Sequence, residues 1–304
     1  MDDIKRFLDN RPESIAAYGY GSGVFKQSGY TSKDKPQKDI IIIVKDLVDW
    51  HIENMKLNRK DYSFGGKFYF KHADISDLKG STGITYLSNI KEDGSTFKYG
   101  TIEYGDFIRH LKTWDSFYLP GRFQKTIYPI IEEQSLVPII EENRRQALLL
   151  STFLQNDDKA SKKDILTTLC WLSYLGDTRM GIAENPNKVP NIVNGSYDKF
   201  LEIYKFNEEY FIDRGDDVLI DTEQVKDELE ELPDKLYSYI LPYLWCEENV
   251  IAEKIIEYFT NLNKMESGQQ TVKGLYTNGL YRSLTYALAK VLKKVKNSKT
   301  KTLK

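Results

Sequence analysis

Cysteine, histidine and long apolar runs are all scarce in this chain. Two cysteines, Cys170 and Cys246, occur among 304 residues, far apart and without CxxC spacing. That argues against a disulfide framework and a cysteine zinc site, and it fits a reducing compartment. Three histidines do not make a clustered metal site without carboxylates. No stretch approaches the roughly 18 consecutive apolar residues of a membrane span, so any contact with a bilayer is expected from one side. The start, Met1-Asp2-Asp3-Ile4-Lys5, is acidic and has no apolar core. Neither a secretory signal nor an Arg-rich transit peptide is expected there. An excess of one charge is also missing: the net charge is −2 and the pI near 6.1. A surface built to neutralise phosphates has a basic balance, so no nucleic-acid partner is expected. Acid is absent locally as well, since none follows Glu266.

What is present is enough to build a sizeable core: 40% of residues are hydrophobic. Ile15–Tyr20 reads as a strand entering a glycine turn, Gly21-Ser22-Gly23. Ile40–Val44 is a continuous β-branched run, the pattern of a strand covered on both faces. Helices are expected over residues 1–9, Asp49–Leu57 and Phe107–Leu119, with strands and turns around Ser95–Ile102. After about residue 130 the pattern turns helical: Glu141–Leu154, a helix opened by Ser161-x-x-Asp164, Asp198–Glu209, Glu223–Leu232 and Glu247–Leu262. A short strand is expected at Val218–Ile220. The fold class is therefore α/β, with an α/β first half and a mostly helical second half.

The chemistry sits in the first strand pair. Gly21 and Gly23 permit backbone conformations closed to other residues and remove side chains from where phosphates approach. A plain tight turn explains the same glycines. Asp39 stands at the head of Ile40–Val44, where a carboxylate needs a partner and a divalent cation is a good one. A strand-capping Asp at a loop edge is the other reading. Glycine turn and Asp39 together resemble the DNA polymerase beta nucleotidyltransferase superfamily, whose strand carries Asp-x-Asp or Asp-x-Glu. Here the second acid's position holds Ile41.

More motifs follow in order: Tyr20–Gln27, Trp50-His51 with Asn54, Asn58 with Tyr62-Ser63, and Lys98-Tyr99-Gly100. Then come Trp114, Tyr118 through Gly121-Arg122-Phe123-Gln124-Lys125, and Leu172-Ser173-Tyr174. Gly176-Asp177-x-Arg179-Met180, Lys188-Val189, Asn191-Ile192-Val193 and Gln270 with Lys273-Gly274 complete the set. From about residue 15 to 295 the chain resembles the mitochondrial translocator assembly and maintenance family, the mitochondrial-type phosphatidate cytidylyltransferases. Its short acidic start suggests a bacterial relative, or a form without a presequence.

The resemblance implies that phosphatidic acid attacks the α-phosphorus of CTP, giving CDP-diacylglycerol and pyrophosphate. It implies Mg²⁺ on Asp39, with Asp177 as a second carboxylate or as the group that orients Arg179. Gly21, Ser22 and Gly23 are the expected phosphate cradle, and Lys98, Arg179 and Lys273 the expected neutralising cations. Asp177 with Arg179 is as well explained by a structural ion pair, His51 by a structural hydrogen bond, Arg122 and Lys125 by solvation, and Lys273 by the membrane-facing segment. Implied too are a nucleotidyltransferase domain (1–140), a helical domain of winged-helix type (141–235) and a C-terminal helical membrane-docking region (236–304). The active site is expected between the first two.

A last helix is expected over about Asn278–Lys296. Leu280, Leu284, Ala287, Leu288, Val291 and Val295 form an apolar stripe, and Lys290, Lys293 and Lys296 fall mainly on the other side. Lys299, Lys301 and Lys304 follow. An ordinary surface helix has this pattern, and so does a helix lying on an anionic membrane; a lipid substrate favours the second. Localisation is then cytoplasmic and peripheral on the inner face of the membrane, the matrix side of the inner membrane in eukaryotic relatives. Two other functions fit the same residues: nucleotidyl transfer to a non-lipid acceptor, and an assembly scaffold with a decayed site.

Overall fold

A computed structural model describes residues 2–25, 36–63, 66–67, 70, 79–178, 180 and 187–299, with side chains described as far as residue 274. Helix α1 (Asp2–Asp9) leads to a five-stranded mixed sheet in the order β3-β4-β2-β1-β5. Its strands are β1 (Ala16–Tyr20), β2 (Lys38–Val44), β3 (Thr85–Glu92), β4 (Ser95–Glu103) and β5 (Ile127–Ile131). The isoleucine run makes β2 the central strand, antiparallel to β1 and parallel to β4. Strand alternation splits the run between two cores. Ile40, Ile42 and Val44 join Phe7, Leu87, Phe97 and Tyr99 on one face. Ile41 and Ile43 join Tyr18, Tyr86, Ile102 and Phe123 on the other. Helix α2 (Leu47–Leu57) covers the first face, with Asp46 capping it by accepting the Asp49 N–H at 2.8 Å.

Helices α3 (Tyr104–Thr113) and α4 (Pro120–Phe123) lie on the second face. The helix expected to reach Leu119 stops earlier, because Trp114 turns left-handed (φ 45°) and buries its indole, whose N–H donates to Asn143 at 2.8 Å. Strand β5 was not expected; Pro129 masks it, and proline is tolerated there because β5 is an edge strand.

The third core belongs to the second half of the chain. There α5 (Val137–Phe153), β6 (Lys159–Ser161), α6 (Lys162–Leu172), α7 (Lys188–Gly195), α8 (Tyr197–Ile203), β7 (Phe211–Arg214) and β8 (Asp217–Ile220) follow in order. The three strands pair as β6-β8-β7. Ser161 caps α6 as its spacing predicts, accepting the Asp164 N–H at 3.0 Å. Helix α8 is shorter than expected: the chain leaves it so that Tyr204, Phe206 (φ 52°) and Tyr210 enter the core. Then come α9 (Thr222–Asp227), α10 (Asp234–Ile240) and α11 (Glu248–Lys299). The two separate helices expected at the C-terminal end are one continuous helix, α11, passing through Gly268 and Gly274.

Candidate active site

The end of β1 and the start of β2 set the geometry. Gly21 has φ +74°, and its carbonyl accepts the N–H groups of Val24 at 3.1 Å and Phe25 at 2.9 Å. The chain thus leaves β1 through one helical turn. A Cβ on Gly21 would stand 3.2 Å from Asp39 Oδ2, and one on Gly23 would stand 2.1 Å from the Gln37 carbonyl oxygen. Glycine at both positions lets the turn close over the head of β2. Asp39 lies opposite Tyr20 of β1 and Lys98 of β4. Three predicted site residues, Gly21, Asp39 and Lys98, therefore come together, with Ser22 and Gly23 on the adjoining turn.

Around them stand tyrosines and cations that come from distant segments. Lys98 Nζ is 4.2 Å from the Tyr86 ring centre. That ring lies over Gly100, where a Cβ would be 2.5 Å from Tyr86 Cε1. The Tyr20 and Tyr86 hydroxyls are 3.3 Å apart. Burial, and then the Asp39 charge, push the Tyr20 phenol far above its ordinary range, so it stays a neutral hydroxyl. Arg122 of α4 stacks its guanidinium 3.6 Å over Tyr118 and 5.9 Å from Tyr20, and donates to the Tyr118 carbonyl. One turn on, Lys125 donates to Ser173 Oγ at 2.6 Å and to the Gly121 carbonyl. Lys125 and Lys188 lie 5.4 Å and 5.1 Å from the Tyr174 ring. Burial, helped by the charges of Arg122 and Lys188, pulls the Lys125 ammonium down to about 8. The arrangement is one carboxylate beside a glycine turn, faced by cations stacked on rings. It suits a polyanion better than a neutral substrate.

Three further predicted residues come from the second half of the chain. Asp177 is 7% exposed on the turn after α6, with its N–H on the Tyr174 carbonyl at 3.2 Å. Arg179 lies outside the described residues. Lys273 belongs to α11 and donates to the carbonyls of Lys79 (3.0 Å) and Ile84 (2.9 Å), at the entry to β3; burial pulls it down to about 7. Ile41 is 1% exposed in the core on the Asp39 face. Among the described residues, no group of three or more His, Cys, Asp or Glu side chains is arranged to hold a metal ion.

A family model described as mitochondrial phosphatidate cytidylyltransferase matches residues 4–230. This chain belongs to that family. Similar proteins carrying the same description include one from Schizosaccharomyces pombe, 31% identical over 91% of this chain and 79% of the relative. Another, from Saccharomyces cerevisiae, is 31% identical over 97% of this chain and 72% of its own. One from Mus musculus is 28% identical over 95% and 94%.

Within this phosphatidate cytidylyltransferase family member, the ordered motifs divide between two places. Tyr20–Phe25, Lys98, Gly100, Tyr118–Lys125 and Lys188 build the cluster just described. Trp50, His51, Asn54, Asn58, Tyr62 and Tyr99 build a buried hydrogen-bond network on the opposite face of the sheet. His51 contacts the hydroxyls of Tyr62 (2.8 Å) and Thr101 (2.7 Å), and its ring stacks on Phe70. Asn54 donates to Tyr62 and Tyr99, and Tyr99 donates to Asp61, which Arg11 also holds. Burial, and then the Lys273 charge, take His51 down to about 3, leaving a neutral ring within this network.

The cationic residues Arg122, Lys125 and Lys188 were the ones the sequence left unassigned. Their one sequence signal is Tyr118 four residues before Arg122; the Tyr174 ring that Lys125 and Lys188 share comes from a separate motif.

Proposed function

We propose that this chain is a phosphatidate cytidylyltransferase whose reaction occurs at the Gly21–Asp39–Lys98 cluster. A phosphate oxygen of phosphatidate attacks the α-phosphorus of CTP. The new P–O bond forms as the bond to the β-phosphate oxygen breaks, giving CDP-diacylglycerol and pyrophosphate. The observation that carries this reading is the Asp39 carboxylate packed against a glycine turn and faced by stacked cations, in a chain of this family.

The nucleophile is already anionic, so no strong general base is required. The obstacle is repulsion between two polyanions, and the residues must position and neutralise them. Gly21, Ser22 and Gly23 cradle the triphosphate through the N–H groups of the turn. Lys98 and Arg122 offset charge near the α-phosphorus. Lys125 and Lys188 extend the cationic surface toward the lipid phosphate. Mg²⁺ fits the site by its donor set: Asp39 supplies one hard oxygen where the absence of a Cβ on Gly21 leaves space, and substrate oxygens and water complete such a shell. Bound there, the ion would neutralise triphosphate charge. Asp177, Arg179 and Lys273 remain part of the proposal as second carboxylate, second-half cation and nucleotide contact.

The finer architecture is proposed with it. Residues 1–140 form a nucleotidyltransferase domain of the DNA polymerase beta type, in keeping with the turn–strand–Asp39 order. Residues 141–235 form a helical domain of winged-helix type, a reading in keeping with the order helix, strand, helices and strand pair and with the pairing β6-β8-β7. Residues 236–304 dock peripherally on an anionic membrane through the basic helix end. No described helix is long and apolar enough to cross a membrane, and the relatives are named as mitochondrial.

The test is pyrophosphate release with Mg²⁺ and each of the four nucleoside triphosphates, with and without phosphatidate vesicles. Release that needs both CTP and phosphatidate is expected. Release without lipid means another acceptor, and none under any condition means a scaffold.

A further inference from the structure

Glu266 is a carboxylate that the reaction above does not use, and it is 1% exposed. Burying a carboxyl is unfavourable unless it is hydrogen-bonded, paired or neutralised. An apolar residue would pack α11 at lower cost, so the polar group calls for a reason. Its Oε1 accepts the backbone N–H of Phe117 at 3.1 Å. The Ser116 side chain and the Tyr118 backbone also hydrogen-bond this carboxyl and favour its ionised form. The Arg122 charge acts on it as well.

What Glu266 holds is the approach to α4. The Phe117 carbonyl accepts the Gly121 N–H at 3.2 Å, so the backbone it fixes is the start of the turn carrying Arg122. The next residue, Tyr118, supplies both the ring under Arg122 and the carbonyl its guanidinium bonds. The other end of the contact is firm. Around Glu266, α11 is locked to the 172–178 turn, with Asn263 donating to the Leu172 carbonyl at 2.8 Å and the Thr178 N–H on Ser267 Oγ at 3.3 Å. A Cβ on Gly176 would meet the Thr260 carbonyl oxygen at 2.2 Å. One turn further, Gln270 and Lys273 bond the Ile84 carbonyl.

We propose that Glu266 is a positioning residue for nucleotidyl transfer: from α11 it fixes the Phe117–Tyr118 backbone so that Tyr118 presents the Arg122 guanidinium to substrate phosphates. This rests on the reading of Arg122 as a phosphate contact. Glu266 touches no substrate, and its effect passes entirely through Arg122.

A double-mutant cycle in kcat/KM on the full chain, with CTP and phosphatidate vesicles, tests it. Glu266→Ala is expected to lower kcat/KM by about 10- to 100-fold, the range for partners that orient a functional group. Glu266→Gln keeps an oxygen for the Phe117 N–H and should lose only a few-fold. In an Arg122→Gln background the Glu266→Ala loss should shrink to about twofold or less. Thermal unfolding of each variant verifies a folded enzyme. If Glu266→Ala does not fold, Glu266→Asp, which withdraws the oxygen by one methylene, takes its place with the same cancellation expected. Losses that multiply fully in the double variant show a merely structural residue and overturn the proposal. An Arg122→Gln enzyme with unchanged kcat/KM, beside an inactive Asp39→Asn enzyme, overturns the Arg122 reading and the positioning role with it.

Discussion

Asp39 and Ile41 are two residues apart on one strand and share a face, yet their surroundings differ completely. Asp39 opens onto the glycine turn, whereas Ile41 is sealed among Tyr18, Ile43, Tyr86 and Phe123. A second strand carboxylate has no room here, so further oxygen ligands must come from substrate, water or another segment. Two outcomes follow at this scale. Asp39→Asn is expected to cut turnover by at least about 10²–10³-fold while leaving the unfolding midpoint close to wild type, because the residue is half-buried at the strand's end. Ile41→Asp is expected to lose about 3 kcal/mol or more of stability in urea unfolding, since an unpaired carboxyl would enter an apolar core. A stable, active Ile41→Asp enzyme would mean that the site extends along β2 past Asp39.

Asp39 was legible in the sequence because a charge at the head of four isoleucines has few explanations. Arg122 and Lys125 were not, because a basic residue in a turn is ordinarily solvated. What changes their meaning is the set of rings from Tyr20, Tyr86, Tyr118 and Tyr174, on four segments that no periodicity connects.

At the scale of elements, α11 was the least legible. Its middle, residues 263–274, is polar and holds two glycines, so hydrophobic periodicity fades between two clear helical stretches. The structure shows why it is helical: Asn263, Glu266, Gln270 and Lys273 bond backbone groups of the body from one side of the helix. The buried face there is polar and invisible to an apolar pattern. Helices α2 and α3 were legible, but their histidines are buried in neutral form, and this has a consequence in acid.

Burial takes His51 of α2 to about 3 and His110 of α3 to about 4, below the ordinary 6.5. Below about pH 6.5 the unfolded chain binds protons that the folded chain refuses. Each histidine then lowers stability by about 1.4 kcal/mol per pH unit as pH falls. Glu266 acts in the opposite sense: burial raises it to about 7 from 4.5, so the folded chain holds a proton that the unfolded chain has lost. Between about pH 5 and 6.5 the two histidines and the one glutamate leave a net loss of about one proton's slope on acidification. Glu266→Gln should therefore steepen the acid loss and His51→Gln should flatten it, read from urea midpoints between pH 5 and 7.5. Parallel midpoint curves for all three proteins would show that neither group is buried as described.

For the whole molecule the question is how a body with this site meets a lipid substrate. The same helix that braces the site, α11, continues to Lys299. Its later part carries Lys290, Lys293, Lys296 and Lys299, with Lys301 and Lys304 beyond it and no acid. Each lysine near an anionic surface contributes about 1 kcal/mol, an attraction that fades within a Debye length and weakens with salt. A cut after residue 277 leaves Glu266, Gln270 and Lys273, with their bonds to the body, in place. Deletion of 278–304 is therefore expected to leave soluble CTP binding within about twofold of wild type. Sedimentation with phosphatidate vesicles should fall by an order of magnitude or more, and turnover on vesicles should fall with it. Raising salt from about 0.05 to 0.5 M should release the intact protein from the same vesicles and have little effect on the truncated one. Equal losses of CTP binding and vesicle binding would place the segment inside the catalytic body. Salt-insensitive sedimentation would instead make the apolar stripe from Leu280 to Val295 the principal anchor, with the lysines only orienting it.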